Sequence, residues 1–444
     1  MQITHKPVRI DRSNKKLKLL GGLIISAFFL FICVKIFLIL FVIDFFTGLY
    51  GFMSTALITI GFFFTFVKYK DPALKYPHKT GYSPLVSVII PAKNDGILIR
   101  GAVDAVIQSS YQKTEIILVD DGSTDDTGKV MTEYQRYYPE KIKTILLSPN
   151  RGKRQAILAA IKGQKDIGDI VILIDSDSVV DLDAIEKIVQ CFNDPDIGAL
   201  TAHASALNRD QNFLTKMQET WYDGSFFVYK GMESSFNSVT CCSGTLSAYR
   251  KEAILPCLDR WASDKFLGVE FKPGDDRHLT SFVMGGTKHH VDKNAKKWDV
   301  VYCESAHVRT NVPSNFKGFV LQQTRWKKSW VRVFLFMAPF FFKDRSPIIA
   351  AVYYIQMTVS MISPIVAFRA LVLMPITGNW HFSIIFVSGI TFIALMYAFV
   401  YKVRNPDTGN LWLYRLLVTP ITLCLSILLY YAILTIRQNS WLTR

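Results

Sequence analysis

The chain has 444 residues, of which 50% are hydrophobic, with a mean hydropathy of +0.22; that length allows two or three structural units, and that apolar share is high for a soluble protein. Its net charge of +15 comes with no visible nucleic-acid-binding module, so the excess is read as attraction to anionic lipid heads and to phosphate, with no nucleic-acid partner. The seven cysteines are scattered without a C-x-x-C, and Cys191, Cys241, Cys242, Cys257 and Cys303 fall in the polar middle of the chain, which argues against a disulfide framework and for a reduced, cytosolic domain.

Residues 1–18 form a basic N-terminal stretch: Lys6, Arg9, Arg12, Lys15, Lys16 and Lys18 oppose only Asp11. The apolar run that follows is too long for a signal-peptide core, so no cleavable signal is expected and the N-terminus is placed inside. Residues 19–42 and 47–67 are each close to the ~20 residues needed to cross the hydrocarbon core, and the short link around Asp44 makes residues 19–67 a transmembrane helical hairpin. Lys35 interrupts the first run and either snorkels or faces a polar pore. Lys68, Lys70, Lys75 and Lys79 mark the return to the cytoplasm.

From residue 83 to about 318 the pattern changes. Short apolar runs at 86–90, 115–119, 144–147 and 169–174 alternate with helical stretches, which predicts a parallel sheet covered on both faces. In such sheets ligands bind beyond the carboxyl ends of the strands, where Asp120-Asp121 and Asp175-Ser176-Asp177 fall. The chain then turns apolar again. Residues 331–342 are too short to span and start basic and aromatic, so an interfacial helix is expected within 319–343. Two transmembrane helices are expected within 347–401. Residues 411–436 are long enough for another, but Arg415 and Pro420 interrupt them: a crossing puts the C-terminus outside, an interfacial or re-entrant helix keeps it inside, and a C-terminal tail, 437–444, follows.

Five constellations carry chemistry. Asp175-Ser176-Asp177 at a strand end can hold a divalent cation bridging diphosphate oxygens, or can be a plain Asx turn. Asp120-Asp121-Gly122-Ser123 can cap the next helix or bind a ligand, and Asn150-Arg151-Gly152-Lys153-Arg154 puts cations at a helix start, where diphosphate is welcome. In Gly274-Asp275-Asp276-Arg277, two adjacent carboxylates can divide the roles of base and orienter, or pair with Arg277. Gln322, Arg325 and Trp326 share one helix face, where Arg325 can fork onto diphosphate and Trp326 can stack on a sugar or sit in a membrane-interface belt.

Three acidic sites, then Q-x-x-R-W, then membrane segments: this order resembles the processive family-2 glycosyltransferases, and in detail the hyaluronan synthases. The resemblance implies an α/β GT-A (Rossmann-like) catalytic domain over 83–318, cytosolic and inserted between transmembrane helices, in a multi-pass protein of the plasma membrane. It implies UDP-sugar donors, a growing polysaccharide acceptor exported through the enzyme's own helices, and Mg²⁺ or Mn²⁺ held by Asp177 and Asp175. In the same way it implies uridine binding by Asp120 and Asp121, diphosphate binding by Lys153, Arg154 and Arg325, and proton abstraction by Asp276, with Asp275 orienting its neighbours. Gln322 and Trp326 fall on the family's acceptor-side motif. Cys241-Cys242-Ser243-Gly244-Thr245-Leu246 resembles the family's acceptor loop, placing Ser243 and Gly244 at substrate, with Thr245 where proline is usual. Trp441 and Arg444 resemble a tail that closes over the nucleotide, with Leu442 replacing a glycine; this argues for a cytoplasmic C-terminus. The favoured donors are UDP-GlcNAc and UDP-GlcA. A chitin or chitooligosaccharide synthase using UDP-GlcNAc alone is the nearest alternative, ahead of a lipid-phosphate sugar transferase or a non-catalytic export scaffold. His203, His278, His289, His290 and His307 lack ligand spacing, and only His307 is a candidate neighbour of the metal site.

Overall fold

The computed structural model describes residues 15–41, 45–75, 81–270 and 272–438. The polar middle of the chain builds ten strands: β1 (Val86–Ala92), β2 (Thr114–Asp121), β3 (Ile142–Leu147), β4 (Ile170–Leu173), β5 (Ser178–Val180), β6 (Ile197–Ala206), β7 (Ser247–Arg250), β8 (Lys265–Phe266), β9 (Val269–Glu270) and β10 (Asp299–Thr310). The helices used below are α1 (Lys15–Phe41), α2 (Phe45–Phe63), α3 (Lys153–Lys162), α4 (Phe213–Gly224), α5 (Leu258–Ser263), α6 (Asp275–Ser281), α7 (Phe316–Asp344), α8 (Pro347–Phe368), α9 (Trp380–Arg404), α10 (Trp412–Cys424) and α11 (Leu428–Leu434).

Eight strands form one sheet in the order β3-β2-β1-β4-β7-β6-β10-β5. The first four are parallel, as their unbroken apolar runs require: every residue of β1 and β4 is buried. Val88, Ile89, Ile90, Ile116, Leu118 and Ile172 lie at the centre of the main core, where truncating one such side chain to alanine costs about 2–5 kcal/mol. The sheet is mixed, however. β7 runs antiparallel between β4 and β6, and β5 antiparallel beside β10. The sequence did not announce that half: β6, β7 and β10 carry Thr, Ser, His and Ala, small or polar residues that leave little hydrophobic periodicity.

Among the described residues five helical segments are long and apolar enough to cross a membrane: Gly21–Leu38, Phe45–Lys75, Pro347–Ile376, Trp380–Arg404 and Trp412–Leu434. The aromatic side chains of α1, α2 and α9 knit them together, with Phe28 stacked on Phe62 and Phe62 against Tyr397. Length and composition thus group 412–434 with the spanning helices; its path is interrupted at Leu425–Ile427, where the helix tightens to 3₁₀ between α10 and α11. The segment 331–342 is no separate helix. It is the second half of α7, a 29-residue helix capped by Asn315, whose side chain accepts from the Gly318 N–H at 2.8 Å. Val333, Met337, Phe340 and Phe341 point into the core of the sheet domain, and Leu335 and Phe342 stay exposed.

Candidate active site

The strand order brings the acidic motifs to one edge. Asp120 and Asp121 end β2, with Asp120 in register with Ala92 at the end of β1. Asp121 accepts three backbone or amide donors from the turn ahead of α3: Asn150 Nδ2, Arg151 N and Gly152 N, each at 2.8 Å. Gly122, with φ +69°, lets that turn close, since a Cβ there would meet Asn150 N at 2.7 Å. Asp120 accepts from Ser123 N at 3.0 Å. Asp121 therefore has a demonstrable structural role, setting the start of α3 and hence the two cations on its first turn.

Those cations face carboxylates. The Lys153 ammonium contacts Asp175, and Arg154 Nε donates to Asp275 at 2.6 Å in a buried pair. Asp175 also donates its N–H to the Gly244 carbonyl at 3.1 Å. Gly244 in turn donates its N–H to Asp276 Oδ2 at 3.1 Å. One residue of the Cys241–Leu246 loop thus bridges the backbone of the D-x-D turn and the second acid of Gly274-Asp275-Asp276-Arg277. A Cβ at Gly244 would stand 3.2 Å from Asp175. Asp276 Oδ1 accepts from Arg277 N at 2.7 Å, and Oδ2 also receives the Cys241 thiol at 3.8 Å. Burial, with Asp276 adding to it, pushes the Cys241 thiol up to about 11, so it stays protonated and donates.

Asp177 sits across the edge, accepting from Thr310 Oγ1 of β10 at 3.1 Å. Burial and then the neighbouring Asp175 push its carboxyl up to about 6, the signature of two acids crowding one low-dielectric spot. Between Asp177 and α7 stands Tyr222, at the end of α4. Its hydroxyl lies beside Gln322 and within electrostatic reach of Asp177, Arg325 and Asp175, and its ring is 6.1 Å from that of Trp326. Tyr222 and Thr310 are the residues that sequence reading missed; both lie outside any acidic or basic run, so no pattern marks them.

The structure therefore draws Asp175, Asp177, Asp275, Asp276, Lys153, Arg154, Gly244, Gln322, Arg325 and Trp326 to one place. Ser243 belongs to the same loop, its N–H given to Thr201 Oγ1 at 3.1 Å. Trp441 and Arg444 lie outside the described residues; Gln438, the last described one, has its carbonyl 3.4 Å from Lys328 Nζ on α7. His307 is placed elsewhere, half-buried against His203 with a ring separation of 5.2 Å, and desolvation pushes it down to about 3. Among the described residues no group of three or more His, Cys, Asp or Glu side chains could hold a metal alone. Asp175 and Asp177 would need ligand oxygens to complete a cation's shell.

Beside Trp326 a cavity of about 520 Å³ opens between α1, α2, α8, α9 and α10. Arg277, Lys327, Arg415 and Lys35 line it, and no carboxylate does among the described residues. Of the two readings of Lys35, the pore-facing one fits: its ammonium points at Gly51 and Gly389, where a Cβ would lie 2.8 and 3.5 Å away. Arg415 stacks 4.2 Å over the Tyr397 ring, and its Nε and Nη1 are buried without a hydrogen-bond partner among the described residues.

Residues 83–329 match the family described as glycosyltransferase like family 2. The chain is 30% identical over 439 residues to a hyaluronan synthase of Streptococcus pyogenes, spanning 95% of this chain and 97% of that protein. It is also 30% identical over 373 residues to an N-acetylglucosaminyltransferase of Rhizobium meliloti, spanning 83% of each. Among solved structures, a mannosyltransferase of Pyrobaculum calidifontis in complex with GDP-Man and Mn²⁺ superposes with a TM-score of 0.55 at 18% identity, over 88% of this chain and 99% of that one, a likeness of fold.

Proposed function

The chain belongs to the family-2 glycosyltransferases, and from that premise we propose that it is a processive, inverting enzyme of the plasma membrane that polymerises UDP-GlcNAc and UDP-GlcA into hyaluronan and exports it through its own helices. The observation that carries the choice of polymer is the cavity beside Trp326: four cations and no acid suit a chain bearing a carboxylate on every second sugar. A neutral chitooligosaccharide is the second reading, favoured by the equal identity to the rhizobial enzyme.

In this reading Asp276 takes the proton of the acceptor hydroxyl while that oxygen attacks the anomeric carbon of the donor. The bond from that carbon to the diphosphate breaks, and UDP leaves with the electron pair. The Gly244 N–H and the Cys241 thiol hold Asp276 toward the acceptor loop. Asp275, neutralised by Arg154, orients its neighbours. Lys153 and Arg325 meet the charge growing on the diphosphate, and Lys153 exchanges Asp175 for phosphate when the donor arrives. A divalent cation fits Asp175 and Asp177, because the crowding that raises the Asp177 carboxyl is relieved by positive charge, and a lysine already stands at Asp175. When bound, Mg²⁺ or Mn²⁺ would neutralise diphosphate oxygens. Asp120 and Asp121 remain the candidates for the uridine side, Trp326 stacks on the acceptor sugar, and Trp441 and Arg444 close over the nucleotide from a cytoplasmic C-terminus, with 411–436 interfacial or re-entrant.

The test is product chemistry. Purified enzyme given Mg²⁺ or Mn²⁺ and labelled UDP-sugars singly and in pairs should elongate only with both, and hyaluronidase should degrade the product. A long polymer from UDP-GlcNAc alone, degraded by chitinase, replaces this reading with the second.

A further inference from the structure

Asp264 belongs to none of the motifs, yet it stands where the two halves of the site meet. It follows α5 and precedes the β8–β9 hairpin that leads to Gly274. Arg332 Nη2 of α7 donates to its Oδ2 at 2.7 Å, His278 Nε2 of α6 lies 3.0 Å from the same oxygen, and Arg260 Nη2 lies 3.5 Å from Oδ1. Arg332 is 2% exposed and His278 is fully buried.

Each partner belongs to a helix with chemistry on it. Arg332 stands seven residues, two helical turns, after Arg325, so both project from one face of α7. His278 stands two residues after Asp276 on α6. The same two helices touch again at the start of α6, where a Cβ on Gly274 would meet Ser329 Oγ of α7 at 1.8 Å, and Gly274 adopts a φ of +84°. They touch a third time where Phe336 of α7 lies edge-on to the His278 ring at 5.2 Å.

We propose that Asp264 is a positioning residue, fixing the Asp276-bearing helix against the helix of Gln322, Arg325 and Trp326, and so setting the acceptor hydroxyl in line with the donor. This rests on the assignment of Asp276 as the base. The charge balance fits a fixed joint. Burial pushes His278 down to about 3, so it is neutral at physiological pH, and the buried ion pair that reaches α7 is Asp264 with Arg332, with the half-exposed Arg260 a second, longer pair on Oδ1. A buried carboxylate held by a guanidinium has one geometry, whereas an apolar contact between α6 and α7 would allow them to slide.

The readout is the ratio of sugar transfer to donor hydrolysis, because water needs no aligned acceptor and a sugar hydroxyl does. In the full-length enzyme in nanodiscs, Asp264→Asn should cut acceptor-dependent transfer at least tenfold and lower acceptor-independent UDP release less than threefold, with UDP affinity within twofold. If transfer and hydrolysis fall together, or neither falls, the proposal is wrong. Should Asp264→Asn fail to fold, His278→Gln is the milder variant, keeping a donor toward Asp264; it should shift the ratio the same way by severalfold, and an unchanged ratio overturns the proposal. Both assays run with whichever donors the wild type accepts, so a different polymer would overturn the hyaluronan reading without touching this result.

Discussion

The acidic edge of the sheet and the cavity between the membrane helices lie side by side yet are built on opposite plans. At the edge almost every charge has a partner: Asp121 with three donors, Arg154 with Asp275, Lys153 with Asp175, Asp264 with Arg332. In the cavity the charges share one sign, and Arg415 keeps two donors unsatisfied. A site that must place atoms to within fractions of an ångström is overdetermined by its own contacts. If the cavity is the conduit proposed above, it must hold a moving chain and release it, so its bonding capacity is left for the passenger, since tight, saturated binding would stop translocation.

This contrast makes the edge intolerant and the conduit graded. The largest loss is expected for Asp276→Asn: transfer should fall about 10²–10⁴-fold, while calorimetry still shows UDP binding, because the base acts on the acceptor. Loss of UDP binding as well would make Asp276 a nucleotide-site residue and blur the division of roles along the edge.

Next comes Asp177. Asp177→Asn, or EDTA on the wild type, should cost about 10²–10³ in rate or more, and full activity in EDTA would remove the cation from the account. The pH dependence has a definite sign. The folded-state carboxyl is raised to about 6 above an ordinary value near 4, so its ionised form is a burden in the metal-free fold. Asp177→Asn should therefore raise the metal-free melting temperature at pH 8, and the gain should disappear as pH falls from about 6 to 4. For the same reason Mn²⁺ affinity of the wild type should weaken by up to about tenfold per pH unit below 6.

Deleting residues 440–444 should lower turnover at least tenfold with expression unchanged if the tail closes on the nucleotide. Wild-type polymerisation by the truncated protein would leave a membrane-interface anchor as its role, and would remove the main argument for a cytoplasmic C-terminus. Smaller again, Lys35→Met should shorten the polymer severalfold and Lys35→Arg should restore its length. Equal lengths from both variants would mean that the cavity's charge does not grip the chain.

The same contrast explains what the sequence disclosed. The edge was legible because its chemistry uses adjacent carboxylates and cations at strand and helix ends, and adjacency survives in one dimension: Asp175-Ser176-Asp177 and Asp275-Asp276 are visible as strings. Tyr222, Thr310 and Asp264 were invisible because each acts across more than fifty residues of chain, on Gln322, Asp177 and Arg332 respectively. The conduit was half-legible. Lys35 and Arg415 announced themselves as charges in apolar runs, but Arg415 read as a break in a helix rather than as a wall of the cavity, because its ring partner Tyr397 lies on the neighbouring helix α9 and its neighbour Gly224 on the distant α4. The parallel half of the sheet followed from continuous apolar runs, and the antiparallel half hid behind small polar strands.

The claim that joins the two regions is that polymer made at the acidic edge leaves through the cation-lined cavity. Reconstitution into sealed proteoliposomes with the catalytic domain outward tests it most directly: both donors are added outside, and the labelled product is scored for protection from external hyaluronidase before and after detergent. The account predicts that most polymer is protected until the vesicles are opened, with the protected share falling in Lys35→Met. Polymer fully digested in intact vesicles would contradict it.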